Sequence, residues 1–554
     1  MNIKGRTILK TMFALVVVLC YNPNVSAQTK YTNPIIPADY SDPDVIRVGD
    51  DYYMTSSSFN MVPGLPVLHS KDLLNWTIIG HGVQKLPDAH FTYARRKDNE
   101  LDYNLPRPGK GVFAPCIRYH EGFFWIFWGD PDAGVYMVKA KNPEGPWSKP
   151  HLVKKAHGWI DPSPLWDKKT GKAWLSYAYA HSRSGINSRI AVAEMNWEGT
   201  ELLSYDKVIF DANDREKYPA DRKHFVIEGT KFMKRNGYYY ILCPAGGVST
   251  GWQTALRSKN PDGPYEIKVV CETGNTNING PHQGGLFDTP NGDWWFTHFQ
   301  SVNVLGRIVW LQPAKWVNDW PVIGVDSNKD GTGNPVMEYQ KPNTGYVGKQ
   351  FSIQMDDEFS AKEIGLQWQW PANSGKEYCS QQNDNLIIKS FANDNLALNN
   401  APNVITQMFP DFKFTAISKV KLISDDGITR GGMSVMGRTC FDIGIESNNG
   451  NFELSVRKNT VKDESIVLEH NELFLKLEAQ GEHPMPLMKK GDKNRGHVYC
   501  QFSYSYDGKL FHNLGNKFHA KAGTWIGARV GLYCISNKSN QSHLIVDSFH
   551  LDPE

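Results

Sequence analysis

One pattern of hydrophobic and polar positions recurs five times between residues 40 and 300. Each copy is a short apolar segment, a polar turn that contains glycine, and a second segment rich in aromatic residues. The copies begin at Asp42, Phe113, Asp161, Glu228 and His282. These starts are 71, 48, 67 and 54 residues apart. Such spacing suits repeated units of about four strands, the size of β-propeller blades, and so predicts a propeller of five blades.

The turns inside the copies have the composition that β-hairpins require. They are Gly49-Asp50, Glu121-Gly122, Thr170-Gly171, Asn236-Gly237 and Asn291-Gly292. Helical patterns are scarce in this region, because glycine, proline and β-forming residues interrupt each window before a helical period is established. We therefore predict an all-β fold, and we expect residues 306–313 to supply the strand that closes the ring.

A second composition begins near Phe351, after a polar connection at residues 334–350 that contains prolines and glycines. Residues 416–422 and 501–506 alternate between apolar and polar side chains, which is typical of strands with solvent on one face. This pattern favours an antiparallel β-sandwich as a separate module. We divide the chain into a signal peptide at 1–27, a five-bladed propeller at 28–335 and a β-sandwich at 351–554.

Length and charge narrow the possible functions. With 554 residues the chain exceeds what one hydrophobic core usually supports, so at least two domains are expected. The chain has 60 Lys and Arg against 58 Asp and Glu, and the net charge of +2 gives no field for nucleic acid or an anionic membrane. The 17 Trp and 24 Tyr offer flat apolar surfaces that suit stacking on a neutral sugar.

The first 27 residues have the pattern of a secretory signal peptide. Basic residues precede an apolar run from Met12 to Cys20, and small residues at 25–27 form a cleavage site. The run is too short to span a bilayer, and no later stretch is long and apolar enough to do so. We expect a secreted or periplasmic protein. A lipid anchor on Cys20 is disfavoured, because the bulky Leu19 precedes it.

Removal of the signal peptide at 1–27 would leave seven cysteines, so at least one of them must be unpaired. They are widely scattered and contain no C-x-x-C pair. Their spacing matches neither a disulfide framework nor a zinc site, and we expect buried thiols.

Aligning the five copies gives one equivalent position in each blade. The alignment rests on the apolar residues Ile46, Ile117, Leu165, Phe232 and Leu286. Four residues before them stand Asp42, Phe113, Asp161, Glu228 and His282. The innermost strands of a propeller line a central channel, so equivalent positions at one strand end form a ring around its opening. Three carboxylates, a histidine and an aromatic ring should converge there.

Three carboxylates at one opening suit the hydrolysis of a glycosidic bond, in which an acid protonates the leaving oxygen and a base activates water. An acid that stays protonated near neutral pH needs burial or a neighbouring negative charge to raise its pKa. We assign Glu228 as the acid, because the apolar residues 225–227 precede it. Asp42 is then the base, and Asp161 is the neighbouring charge that raises the pKa of the acid.

Each of these residues also has a structural interpretation. Asp42 and Asp161 stand before proline, as turn-opening residues do, and a lone histidine such as His282 is more often structural than catalytic. Only their equivalent position in the five repeats favours a functional interpretation for these residues as a set. Arg307, in an otherwise apolar stretch, is expected to pair with a carboxylate or a sugar hydroxyl. Sugar stacking and packing between blades are both open for the aromatic candidates Phe59, Phe113, Trp128 and Trp252.

Several motifs resemble glycoside hydrolase family 43. The opening of that family is matched by Asn33-Pro34-Ile35, Ser41 to Val45, Gly49 to Tyr53 and His69 to Trp76. Its later motifs are matched, in order, by Phe113-Ala114-Pro115, Asp161-Pro162-Ser163, Ile227-Glu228-Gly229 and Gly306-Arg307 through Gln312-Pro313. The likeness covers roughly residues 31–325. The tail around residues 502–509 and 525–532 resembles the concanavalin-like, jelly-roll β-sandwich found behind many family 43 xylosidases.

The resemblance implies an inverting glycoside hydrolase that removes pentose units from plant cell-wall polysaccharide. It places the family's base on Asp42, its pKa-tuning carboxylate on Asp161 and its acid on Glu228. Acid and base should then stand roughly 6.5 to 9.5 Å apart, with a water between the base and the anomeric carbon. The family also has a histidine near His282 on the channel axis, in some members over a water-coordinated calcium ion, and an arginine at Arg307 near the sugar.

Phe59 matches the family's stacking aromatic, but other positions depart from the family. Residues 59–64 read Phe-Asn-Met-Val-Pro-Gly where many β-xylosidases carry Phe-Glu-Trp-Phe-Pro-Gly, and Phe113 stands in place of the familiar tryptophan of the second blade. In those enzymes the sandwich sends an aromatic side chain toward the active site, and the matching strand here offers Arg529. The leaving-group side is therefore expected to differ.

Between the two activities of the family, the architecture favours β-xylosidase over α-L-arabinofuranosidase, and both sugars present similar hydroxyl geometry to one pocket. The ligand is then a xylo- or arabino-oligosaccharide, and no cofactor is required. A non-catalytic carbohydrate-binding propeller would keep the aromatics and lose the three acids. A retaining propeller would place two carboxylates roughly 5 to 5.5 Å apart behind a different opening motif. The sequence gives no signal for the oligomeric state.

Overall fold

The computed structural model describes residues 29–554 except 91–99, 215, 217–223, 277, 279, 426, 449, 482–496, 539 and 540. The predicted signal peptide at 1–27 lies outside the described residues, so export stays a prediction. The helices that are described are single turns, namely α1 (His181–Ser184) and 3-10 turns at Asn303–Leu305, Gly375–Tyr378 and Leu398–Asn400. The all-β prediction is confirmed.

Five antiparallel sheets of four strands each form the propeller, and the strands of each sheet are consecutive in the chain. Blade I is β2–β5, blade II β8–β11, blade III β12–β15, blade IV β16–β19 and blade V β20–β23. The strands of this half are β1 (Lys30–Thr32), β2 (Asp44–Val48), β3 (Asp51–Thr55), β4 (Gly64–Ser70), β5 (Thr77–Val83), β6 (Ala89–His90), β7 (Glu100–Leu101), β8 (Phe113–His120), β9 (Phe123–Asp130), β10 (Gly134–Ala140), β11 (His151–Lys155), β12 (Trp159–Asp167), β13 (Lys172–Tyr179), β14 (Arg189–Met195), β15 (Lys207–Asp211), β16 (Lys231–Arg235), β17 (Tyr238–Ala245), β18 (Trp252–Ser258), β19 (Glu266–Cys271), β20 (Leu286–Asp288), β21 (Trp294–Val302), β22 (Gly306–Val317), β23 (Trp320–Ile323) and β24 (Glu338–Gln340).

Each sequence repeat forms the first hairpin of one blade. The five apolar anchor residues all lie on first strands, and each pairs with a residue of the second strand, as Ile46 does with Tyr53. The glycines of the five predicted turns adopt positive φ, from 64° at Gly49 to 85° at Gly292, a conformation that costs glycine less than other residues. The prediction of five blades is confirmed.

The ring closes between blade V and blade I, whose first strands β20 and β2 contact each other. Residues 306–313, expected to be the closing strand, belong instead to β22, the third strand of blade V. The segment before blade I is attached to that strand by reciprocal amide bonds between Ile36 and Val309. Strand β24 lies beyond the predicted propeller boundary at 335 and pairs with β1.

The C-terminal half is two packed sheets. One has the order β25-β26-β38-β29-β34-β35-β36, and the other contains β27, β28, β37, β30, β31, β32 and β33. Their strands are β25 (Cys379–Gln382), β26 (Asn385–Lys389), β27 (Phe391–Ala392), β28 (Ile405–Met408), β29 (Lys413–Ile423), β30 (Ile428–Met436), β31 (Phe441–Asn448), β32 (Asn451–Lys458), β33 (Val461–Leu468), β34 (Glu472–Gly481), β35 (Val498–Ser505), β36 (His512–His519), β37 (Arg529–Ser536) and β38 (His543–Pro553). In β29 buried and partly exposed residues alternate along the strand, as the period-two pattern predicted.

The two halves share main-chain hydrogen bonds. Val62 of the propeller and Trp370 of the sandwich donate amide protons to each other's carbonyl oxygens, at 2.8 and 2.7 Å. The amide side chain of Asn373 makes a second bridge, since its oxygen accepts the Leu86 N–H and its nitrogen donates to the Leu86 carbonyl. One continuous cluster of buried apolar side chains extends across this junction.

The seven cysteines that the structure describes are all free, and six of them are buried. The expectation of buried thiols is therefore confirmed for those six. The helices within the described residues are all too short to traverse a bilayer.

Candidate active site

Two of the three predicted carboxylate residues have a strained backbone conformation. Asp42 lies just before β2 with φ of 56°, and Asp161 lies in a bulge near the start of β12 with φ of 57°. Residues other than glycine rarely occupy this left-handed region, and such outliers concentrate at functional sites. Both side chains are buried at the start of inner strands, where the alignment of the repeats placed them.

Asp42 is held by two side chains. Ser57 Oγ donates a hydrogen bond of 2.6 Å to Asp42 Oδ2, and Arg307 Nη1 lies 3.0 and 3.1 Å from the two carboxylate oxygens. Ser57 Oγ in turn accepts the Ala114 N–H at 2.7 Å, so its proton is directed at Asp42. These contacts fix the orientation of the Asp42 carboxyl group. The predicted pairing of Arg307 with a carboxylate is present.

Asp161 is attached to the peptide that follows Glu228. Its Oδ2 accepts the Gly229 N–H at 2.6 Å, and its own carbonyl oxygen accepts the Thr230 hydroxyl at 2.6 Å. Burial raises the pKa of Asp161, the Gly229 bond partly offsets this, and the charge of Asp42 adds to the rise. Asp161 therefore lies close enough to both Asp42 and Glu228 for its charge to interact with theirs.

The pKa of Glu228 is raised further from its ordinary value than that of Asp161. Removal from water raises its pKa to about 8, and the negative charges of Asp161 and Asp42 contribute, against a lowering by Arg307. Its side chain keeps 24% exposure, so the carboxyl group still reaches the opening. The nearest ring nitrogen, His282 Nε2, is 3.8 Å from Glu228 Oε1, beyond hydrogen-bond distance. A protonated carboxyl group here is free to donate outward.

His282 lies fully buried at the fifth position of the ring. Burial lowers its pKa to about 3, with Arg307 and His298 adding to the effect, so the imidazole is neutral at neutral pH. Both ring nitrogens lack a protein hydrogen-bond partner among the described residues. Calcium takes six to eight oxygen ligands, and no group of three His, Cys, Asp or Glu side chains in the described ranges could hold a metal ion. The orphaned nitrogens fit bonds to water, including water on a hydrated ion, rather than direct ligation.

The structure places the four predicted aromatic residues in different environments. Phe59 and Phe113 pack edge to face with ring centroids 5.0 Å apart, and the Phe59 centroid is 6.0 Å from Arg307 Cζ. Phe59 is 1% exposed, which favours its packing interpretation, whereas Phe113 is partly exposed. Trp252 begins β18 and is partly exposed. Trp128 is 1% exposed, stacks on Tyr136 and belongs to the hydrophobic core. The prediction that Trp128 binds sugar is therefore wrong, and its packing interpretation holds.

The sandwich does contribute an aromatic ring, but from a loop rather than from the strand that the sequence pointed to. Trp525 is 48% exposed, has φ of 68°, and its ring centroid lies 5.6 Å from Arg307 Cζ. Arg529 is buried away from the opening, where its guanidinium donates to Thr406 Oγ1 and Gln369 Oε1. The expectation that Arg529 replaces the aromatic was therefore wrong.

Other residues of the site carried little sequence signal. Ser57 sits in a run of three serines, and nothing in that run distinguishes it. Lys231 is buried three residues after the acid, donates to the Pro115 carbonyl, and lowers the pKa of Asp161. Lys231 could have been found from the sequence, because it is a lysine on the inner strand of an otherwise apolar repeat.

A five-bladed propeller that brings three carboxyl groups together, one of them with a raised pKa, has the groups that a glycoside hydrolase needs. Residues 31–321 match the family described as Glycosyl hydrolases family 43, and residues 356–552 match the beta xylosidase C-terminal concanavalin A-like domain. The first match covers more than half of the chain, so this protein belongs to glycosyl hydrolase family 43. The predicted resemblance is confirmed for both domains.

Relatives with assigned names match most of the chain. A putative beta-xylosidase of Xylanibacter ruminicola is 37% identical over 503 residues, which are 90% of this chain and 85% of that protein. A non-reducing end alpha-L-arabinofuranosidase of Bacteroides ovatus is 31% identical over 483 residues, 82% of each chain. A solved Bacteroides ovatus protein named Xyloglucan PUL GH43B is 25% identical, with a TM-score of 0.75 over 95% of this chain and all of that one.

Proposed function

We propose that this enzyme removes pentose units from plant cell-wall polysaccharide with inversion at the anomeric carbon. The observation that carries the proposal is the contrast between two carboxyl groups. Glu228 has its pKa raised by burial and by Asp161, whereas Asp42 is held by Arg307 and Ser57. A pair of carboxyl groups with environments this different can act as acid and base in one site.

In the proposed reaction, protonated Glu228 gives its proton to the glycosidic oxygen as the bond from that oxygen to the anomeric carbon breaks. The bonding electrons stay with the oxygen, and the leaving sugar departs as an alcohol. Asp42 takes a proton from a water molecule, whose oxygen bonds to the anomeric carbon from the opposite face. The cycle leaves Glu228 ionised and Asp42 protonated, and exchange with solvent restores both. Asp161 keeps the acid protonated before the reaction.

For the substrate we propose a β-linked xylose unit at the non-reducing end, with an α-L-arabinofuranosyl unit as the alternative. Support comes from the names of the relatives, of which the one at 37% identity is a putative beta-xylosidase and the one at 31% an arabinofuranosidase. Phe113, which packs on Phe59, and Trp525, beside Arg307, are exposed or partly exposed rings that suit the apolar face of a pentose.

Export is a second part of the proposal. The basic start, the apolar run and the small residues at 25–27 support a secreted or periplasmic enzyme, which suits a substrate too large to enter a cell. Measuring the mass of the protein that is recovered outside the cytoplasm tests the export proposal. A chain that begins near residue 28 is expected, and a full-length chain confined to the cytoplasm would contradict export.

The experiment that tests the chemistry compares wild type with Glu228→Ala on an aryl β-D-xylopyranoside and an aryl α-L-arabinofuranoside, with product anomers followed by proton resonance. Glu266→Ala is the matched control, because Glu266 is an exposed glutamate of the same blade. We expect inverted product from wild type and the control, and little product from Glu228→Ala on a substrate that needs leaving-group protonation. Retained configuration, or full activity of Glu228→Ala, would contradict the mechanism.

A further inference from the structure

A buried carboxylate outside the predicted ring joins the two domains at the active site. Asp39 Oδ1 accepts the Arg307 N–H at 2.8 Å and the Ser41 hydroxyl at 2.8 Å. Asp39 Oδ2 accepts the Gly527 N–H at 2.7 Å. One amide belongs to the propeller and the other to the sandwich. Burial raises the pKa of Asp39, and the two amide bonds counteract that rise.

The two backbones meet so closely at Asp39 that side chains are excluded on both sides. A Cβ on Gly306, which has φ of 75°, would lie 2.4 Å from Asp39 Cγ. A Cβ on Gly527 would lie 2.7 Å from the carbonyl carbon of Leu305. The Ala528 N–H also donates to the Val304 carbonyl at 2.7 Å. The junction therefore has room only for glycine at both positions. It holds the backbones of the two domains in direct contact.

Each amide held by Asp39 positions a functional side chain. The Arg307 side chain leads directly to Asp42, at 3.0 Å, so its backbone position sets where the base is held. Gly527 follows Trp525 by two residues, and the Trp525 ring lies 5.6 Å from Arg307 Cζ. On its other side the Trp525 loop contacts Gly109, where a Cβ would lie 3.3 Å from Trp525 Cδ1.

We propose that Asp39 is a positioning residue for the hydrolysis, which fixes the distance between the guanidinium of Arg307 and the ring of Trp525. This rests on the proposed function, because both groups are assigned there to the sugar site. Asp39 itself does not touch the opening. Its two oxygens suit two amide donors, whereas the amide group of asparagine would present one acceptor and one donor, and the donor would face an N–H group.

The test uses Asp39→Asn in the full chain, with Asp357→Asn as the matched control. Asp357 is also a buried carboxylate that accepts N–H groups on both oxygens, from the Phe359 backbone and from the side chains of Gln367 and Trp368, but it lies in the sandwich away from the opening. Both variants lose one charged acceptor, so both should lower the thermal unfolding temperature. Kinetics on the aryl pentosides, measured well below unfolding, then separate positioning from stability.

We expect kcat/KM of Asp39→Asn to fall by roughly tenfold to a hundredfold, the loss associated with a hydrogen bond to a buried charged group, while Asp357→Asn keeps the wild-type value. Adding Trp525→Ala should cost less in Asp39→Asn than in wild type, because the loop is already displaced. A kcat/KM of Asp39→Asn equal to wild type, or fully additive effects, would overturn the proposal.

A second readout does not depend on the substrate. Hydrogen exchange followed by mass spectrometry should show faster exchange in Asp39→Asn at residues 304–308 and 523–528, and no change there in Asp357→Asn. If wild type hydrolyses neither pentoside but exchange accelerates at both segments, the pentoside function fails and the positioning contact stands. Unchanged exchange at both segments overturns the role of Asp39 whatever the substrate proves to be.

Discussion

Ser57 and Asp42 are joined by a hydrogen bond of 2.6 Å in which the serine proton can point only at the carboxylate. The other partner of the serine oxygen is the Ala114 N–H, a donor, so the hydroxyl has no competing acceptor in this pair of contacts. A backbone amide of blade II therefore sets the orientation of the proposed base in blade I.

Ser57→Ala should lower kcat with little change in KM, because it removes a contact to the base rather than to the sugar. The loss of a hydrogen bond to a buried charged group predicts a fall of about tenfold, equivalent to roughly 1.4 kcal/mol. Steady-state kinetics on an aryl pentoside measure it. Ser418→Ala, which removes a buried hydroxyl of the sandwich, is the control and should leave kcat unchanged. A kcat equal to wild type would exclude the orienting role.

Asp161→Asn should move the alkaline limb of the kcat profile to lower pH. The acid must be protonated to act, and the charge of Asp161 is the second largest cause of the raised pKa of Glu228, after burial. Asparagine keeps an oxygen for the Gly229 N–H and removes the charge. Asp167→Asn, at the far end of the same strand, should leave the limb in place. An unmoved limb in Asp161→Asn would mean that burial alone tunes the acid.

Glu228→Gln should stabilise the fold increasingly as pH rises. Because the folded-state pKa of Glu228 is raised, its stabilising contribution is complete below about 4.5 and is lost as pH rises through about 8. Glutamine never ionises and avoids this loss. The unfolding temperature of the variant relative to wild type should increase from pH 5 to pH 9, on the order of a few degrees. A difference that is constant with pH would contradict the raised pKa.

Trp525→Ala should lower kcat/KM without a comparable loss of stability, because half of its side chain is exposed and its contact is with the site. An increase in KM of several-fold is expected from the loss of one stacking surface, at about 1 kcal/mol. Tyr499→Ala, which removes a 50% exposed aromatic from the same sandwich, serves as control. Equal effects of the two substitutions would remove Trp525 from the sugar site.

The ring of carboxylates was predictable because it depends on local signals. The hairpin glycines and the apolar anchor of each repeat fix the phase of the innermost strand, and that phase places Asp42, Asp161 and Glu228 at one end. Trp128 was not predictable in the same way. Both faces of a propeller blade pack against neighbouring blades, so β9 is buried along nearly its whole length and burial does not alternate.

Contacts between the two domains lay beyond sequence reasoning. Asp39 and Gly527 are 488 residues apart in the chain, and neither domain alone contains the geometry that joins them. Arg529 was expected at the site because the resemblance pointed to a strand, whereas the ring comes from Trp525, in a loop with backbone at positive φ. Loop conformation and domain docking are set by tertiary packing rather than by periodicity.

The reciprocal amide bonds between Val62 and Trp370 make the sandwich a poor candidate for removal in protein engineering. A truncated propeller would present water with two unpaired peptide groups and with the apolar side chains of the shared cluster around Val62 and Leu65. Such a fragment should aggregate during production. Exchange of substrate preference between relatives is therefore better attempted by grafting short loops than by recombining whole modules.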